Sequence, residues 1–87
     1  MSDKTEPDPE DIRVGATVRA LRELHGLTAT ELGRAIGKSE PLVLAVERGD
    51  RHATPQVLRS LASTFKIPLA VFTIDGYEQI RDTERVA

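Results

Sequence analysis

One short stretch of this chain is bracketed by side chains that can carry positive charge. Lys38 precedes it, and Arg48, Arg51 and His52 follow it. Cations at both ends of a helix are what positioning on a phosphate backbone requires, because each fixes one end against a polyanion without reading its sequence. Other chemistries find less support. The chain has no cysteine, so neither a disulfide nor a thiolate metal site is available. His25 and His52 fall in separate turns with no second ligand at helical spacing, which argues against a metal centre or an imidazole base. The run Gly33-Arg34-Ala35-Ile36-Gly37-Lys38-Ser39 looks like a phosphate loop but has three residues between its glycines where the motif needs four. Its glycines are read as serving helix packing and a C-cap. We expect no enzyme, no cofactor and no metal.

The charge distribution allows a polyanion partner. The 87 residues carry 12 Lys and Arg against 14 Asp and Glu, a net charge of −2, but the excess acid lies at the ends. Residues 1–11 hold Lys4 against Asp3, Glu6, Asp8, Glu10 and Asp11, a net of −4, and residues 73–87 hold a net of −2. Residues 12–72 hold nine Lys or Arg against Glu23, Glu31, Glu40, Glu47 and Asp50, a net of +4. The middle of the chain is therefore basic, as a DNA-binding surface would be. Residues 1–11 are expected to compete for that surface. The start of the chain is acidic where a secretion signal would be basic and then apolar, and no run of about 18 apolar residues occurs. A soluble, cytoplasmic protein with no membrane partner is the expectation, in one domain.

The elements that must position these cations are helices. After a proline-spaced acidic start, Val14, Val18, Leu21 and Leu24 recur at three- and four-residue spacing and predict a first helix that Gly26 stops. Thr28-Ala29-Thr30-Glu31 is a capping box opening a short second helix, with Leu32, Ala35 and Ile36 inward and Gly37 at its end. Ser39 then caps a third helix with Pro41 in its first turn, Val43 and Val46 inward, and Gly49 as its stop. Thr54-Pro55 starts a fourth, apolar at Val57, Leu58, Leu61, Ala62 and Phe65. Pro68 resets the chain, and Leu69, Val71 and Phe72 predict a short fifth helix that lids the core.

A tight turn between the second and third helices suggests a helix-turn-helix. The residues resemble the Cro/phage-repressor family, also called the XRE family. The resemblance runs through Val14-Gly15, Val18-Arg19-Ala20-Leu21-Arg22-Glu23, Gly26-Leu27-Thr28, Glu31-Leu32, Ile36-Gly37, Val46-Glu47-Arg48-Gly49 and Thr54-Pro55, and ends at Pro68 to Phe72. It implies an all-α, five-helix, lambda-repressor-like domain over residues 12–73. Residues 1–11 are then a disordered acidic tail, and 74–87 a polar C-terminal extension. It further implies a transcriptional regulator that places its third helix in the major groove of double-stranded DNA. Arg22 and Glu47 would form a structural ion pair, and Lys38, Arg48, Arg51 and His52 would contact phosphates. A homodimer is implied as well, and Leu69, Phe72, Ile74, Tyr77 and Ile80 are its candidate contacts, as apolar residues beyond the fourth helix that could form a self-complementary patch.

The chain departs from the family where bases are read. The second helix opens on Ala29 where family members commonly carry a polar residue such as Gln. The third helix, in turn, offers few hydrogen-bonding groups. At about 100° per residue its outward stripe is Pro41, Ala45 and Arg48, flanked by Leu42 and Leu44. Ser39, Glu40, Pro41, Leu42, Leu44 and Ala45 are the candidate groove contacts, reading thymine methyls and DNA shape rather than a hydrogen-bond pattern. The alternative is a helix-turn-helix repurposed as a protein-interaction module through that apolar face.

Overall fold

Asp8 starts the first helix. Its carboxylate accepts the Glu10 N–H at 2.8 Å, Pro9 brings a helical φ and no wasted donor, and Glu10 and Asp11 place negative charge in the positive first turn. The helix therefore begins three residues inside the segment expected to be a disordered tail. The computed structural model describes residues 8–72, which form four α-helices and one 3₁₀ turn: α1 (Pro9–Leu24), α2 (Ala29–Ile36), α3 (Glu40–Arg48), α4 (Pro55–Phe65) and the turn Leu69–Phe72. No strand occurs among the described residues. Where a fifth helix was expected, four residues make a single 3₁₀ turn.

The caps lie where the side-chain chemistry placed them. Thr28 Oγ1 accepts the Glu31 N–H at 3.0 Å while Glu31 Oε1 accepts the Thr28 N–H at 2.9 Å. Ser39 Oγ accepts from Leu42 N–H at 3.3 Å and Thr54 Oγ1 from Val57 N–H at 3.2 Å. Each cap stabilises its helix by about 1 kcal/mol. Lys66 closes α4 in the left-handed region at φ 59°, a position glycine usually takes.

Val14, Val18, Leu32, Val43, Val46, Val57, Leu61 and Phe65 form one buried core, and Phe72 closes it with no exposed surface. Complete burial removes Phe72 from the candidate dimer contacts: the 3₁₀ turn points its last side chain inward as a plug. Leu24 is 79% exposed rather than inward, because α1 runs past the end of the core. Ala35 is exposed too, facing an open polar groove shared with Gln56, Arg59 and Ser63 of α4. Ile74, Tyr77 and Ile80 lie outside the described residues.

Candidate nucleic-acid interface

Three close approaches and one ion pair fix α3 against the rest of the fold. At Gly15 a Cβ would collide with the Val46 carbonyl oxygen and lie 2.7 Å from that of Glu47, so the α1 and α3 backbones touch there. At Gly33 a Cβ would lie 2.5 Å from the Lys38 carbonyl oxygen, which seats α2 on the turn leading into α3. Beyond the other end, Gly49 adopts φ 84° with Ile12 so close that a Cβ would lie 2.8 Å from its Cγ1. The ion pair is bidentate: Arg22 donates from Nε to Glu47 Oε2 at 2.6 Å and from Nη2 to Oε1 at 3.0 Å. Its third nitrogen, Nη1, donates to the Leu27 carbonyl at 2.9 Å. The two side chains are 14% and 4% exposed. The hydrogen bond to Glu47 is the main cause holding the Arg22 pKa above the ordinary arginine value, against the opposing effect of desolvation.

These anchors occupy the inner side and the ends of α3. Glu40, Pro41 and Arg48 are exposed on its outer side and Ala45 is half-buried there. Leu42 and Leu44 are not the free apolar flanks the helical wheel placed outward. Both are half-buried and packed on the core. Leu42 lines a small interior void with Ile36 of α2 and Val57 and Leu61 of α4. A nine-residue helix wedged between α1 and α2 buries a wider arc than one stripe, and the wheel does not count neighbours on both sides.

The cations gather at the two ends of α3 as their numbering suggested. Lys38 and Ser39 stand exposed before its first turn, and Arg48, Arg51 and His52 stand exposed at and beyond its last. Nine residues at about 1.5 Å each separate the groups by about 13 Å, close to the roughly 12 Å width of a DNA major groove. Two of the cations have carboxylate partners that sequence reading did not anticipate. Arg48 Nε lies 2.9 Å from Asp50 Oδ2, and His52 Nδ1 lies 2.8 Å from Asp11 Oδ1. The first pair is local and readable from its spacing, whereas the second spans 41 residues and has no local signal. No ion pair holds Lys38 or Arg51 among the described residues. Nor, among the described residues, does any group of three His, Cys, Asp or Glu suit a metal ion, and none of the described helices is long and apolar enough to cross a membrane.

Two helices joined by a tight turn, the second pinned by its inner side and bare outside, define a helix-turn-helix domain. Comparison with known proteins agrees. The helix-turn-helix family model matches residues 18–72, and the chain belongs to that family. An uncharacterised HTH-type transcriptional regulator of Sinorhizobium fredii is 30% identical over 84 residues, covering 97% of this chain and 59% of that protein. One from Sinorhizobium medicae is 25% identical over 76 residues, covering 87% of this chain and 55% of its own length. The chain thus spans a little over half the length of these curated relatives. Among solved structures, the restriction-modification controller protein C.AhdI of Aeromonas hydrophila superposes with TM-score 0.72 at 26% identity, over 76% of this chain and all of that one. The clp gene regulator ClgR of Corynebacterium glutamicum superposes with TM-score 0.70 at 26% identity, over 85% of this chain and 95% of that one. The domain is of the kind carried by transcriptional regulators.

Proposed function

We propose that this domain binds double-stranded DNA on behalf of a transcriptional regulator. In this reading α3 lies in the major groove, Lys38 and Arg51 hold phosphates at its two ends, and Arg48 and His52 join them. The observation that supports it best is the pairing of an α3 anchored from its inner side with basic side chains exposed at both of its ends. Ser39, Glu40, Pro41 and Ala45 face the bases, and Leu42 and Leu44 reach them only by their exposed edges. Contact with thymine methyls and groove shape, rather than hydrogen bonds, then supplies what sequence preference there is. The rival reading, a protein-binding face on α3, rested on free leucines, and their packing on the core removes that support.

We further propose that the domain acts as a homodimer, since one such unit covers about half of a two-fold site. Of the candidate contacts within the described residues, Leu69 remains, 40% exposed, beside Val71 at 36%.

Titration of a mixed-sequence duplex at several salt concentrations tests the DNA reading. Lys38→Ala and Arg51→Ala should each weaken binding to all sequences and lower the slope of log affinity against log salt by about one. Wild-type protein with no salt-dependent affinity for the duplex would overturn it.

A further inference from the structure

We propose that Asp11 and Asp50 are built-in competitors of DNA phosphate, so that binding is an exchange of one anion for another at the C-terminal end of α3. This rests on the DNA-binding reading above. Of the four side chains that reading assigns to phosphates, two already face carboxylates of the same chain: Arg48 faces Asp50 at 2.9 Å and the His52 ring faces Asp11 at 2.8 Å. Each carboxylate engages a single nitrogen, Arg48 Nε and His52 Nδ1, so it competes with a phosphate oxygen for the charge and orientation of the group rather than for every donor on it.

The fold presents both carboxylates to these cations. Asp50 is fixed by its own N–H, which donates to the Ala45 carbonyl at 2.9 Å in the turn that ends α3. Asp11 precedes Ile12, whose backbone nitrogen and Cα pack on Gly49, so the first turn of α1 is seated against the end of α3. Its side chain is only 17% exposed, while that of His52 is 71% exposed. The acid is therefore held and the cation is at the surface. At the other end of α3, Lys38 has no such partner among the described residues. The groups differ in consequence: Lys38 at one end and Arg51 at the other are ready for phosphate, whereas Arg48 and His52 must first give up a carboxylate.

The exchange has two measurable signatures. Removing either carboxylate frees its cation, and exposed pairs of this kind correspond to about a two- to fivefold gain in duplex affinity at low salt. The second signature is in the salt dependence. In the wild type a carboxylate released from its cation attracts counterions and offsets those the DNA loses, so each removal should steepen the log–log salt slope by up to about one. Asp11→Asn and Asp50→Asn are compared with Glu23→Gln, which deletes the same charge from the Arg19 pair on α1. That site is twelve residues along the helix from Asp11, about 18 Å at the helical rise, so the variants are compared with it at about 0.1 M salt and above, where the screening length is about 10 Å or less.

The expected result is tighter, more salt-sensitive binding for both aspartate variants, multiplicative in the double variant, with Glu23→Gln close to wild type. Carboxyl carbon resonances of Asp11 and Asp50 in the unmutated protein should also shift when duplex is added. That measurement decides the matter if a variant proves unstable. Equal or weaker binding by the folded aspartate variants, or carboxyl resonances indifferent to DNA, would overturn the proposal and leave the carboxylates as groups that orient Arg48 and His52. If wild-type protein shows no salt-dependent binding at all, the DNA reading fails instead.

Discussion

Arg22→Ala should be the most damaging single truncation of a polar side chain in this domain. It removes three charge-assisted hydrogen bonds at once, two to Glu47 and one to the Leu27 carbonyl. It also strands the Glu47 carboxylate, only 4% exposed, with no cation beside it. Breaking a buried pair by deleting one partner costs about 3–5 kcal/mol, mostly from that stranded charge. A chain of 87 residues has roughly 4–13 kcal/mol to lose, so the variant sits near the edge of folding. At about 4–8 °C per kcal/mol, its Tm should fall by about 12 °C or more. Replacing both partners, as Arg22→Met with Glu47→Leu, removes the stranded charge and should recover most of the loss. Urea unfolding with an unchanged m value is the assay. A loss under about 1 kcal/mol for Arg22→Ala, the size of an exposed pair, would refute this account, as would a double variant no better than the single one. The raised pKa of Arg22 sets the sign with pH. Its contribution is complete below the unfolded arginine value and disappears only as pH rises through the higher folded one. The gap between wild type and variant should therefore not narrow on the alkaline side up to about pH 10.

Gly15→Ala should destabilise the domain and tilt α3 away from α1, because the added Cβ meets backbone oxygens that cannot rotate aside. Circular dichroism melting and duplex titration should both show losses, and a stable variant that binds normally would contradict the close approach. The homodimer should appear in sedimentation at micromolar concentration, and Leu69→Asp should shift it toward monomer. A monomer that persists at high micromolar concentration, with and without duplex, would defeat that proposal.

Much of this fold could be read from punctuation. Thr28, Ser39 and Thr54 announce helices by side-chain chemistry that acts within three residues, and Gly37 and Gly49 end them by a backbone state open to few other residues. Signals of longer reach were harder to read. The start of α1 was misplaced because Pro7 and Pro9 look like a tail, although Asp8-Pro9 is itself a cap followed by a first-turn proline. Lys66 carries no mark of its left-handed backbone. Leu42 and Leu44 were turned outward because periodicity describes one helix and cannot see a second neighbour. The pair Arg22–Glu47 followed from family resemblance, whereas Asp11–His52 needed the fold, since only packing brings the start of α1 to the end of α3.

The anchors of α3 act from behind or from its ends, through Gly15, Glu47, Gly33, Gly49 and the buried Val43 and Val46, while Glu40 and Pro41 stand exposed on the outer side. In the DNA-binding reading proposed above, stability and recognition are thereby written on separate positions. Substitutions on the outer surface should cost no more than ordinary surface changes, about 0.5 kcal/mol either way. If those positions read DNA as proposed, a lineage carrying this domain should be able to exchange one preferred site for another by single mutations without crossing a stability threshold. By the same logic an engineer could graft a hydrogen-bonding reader onto these positions and leave the scaffold as it is.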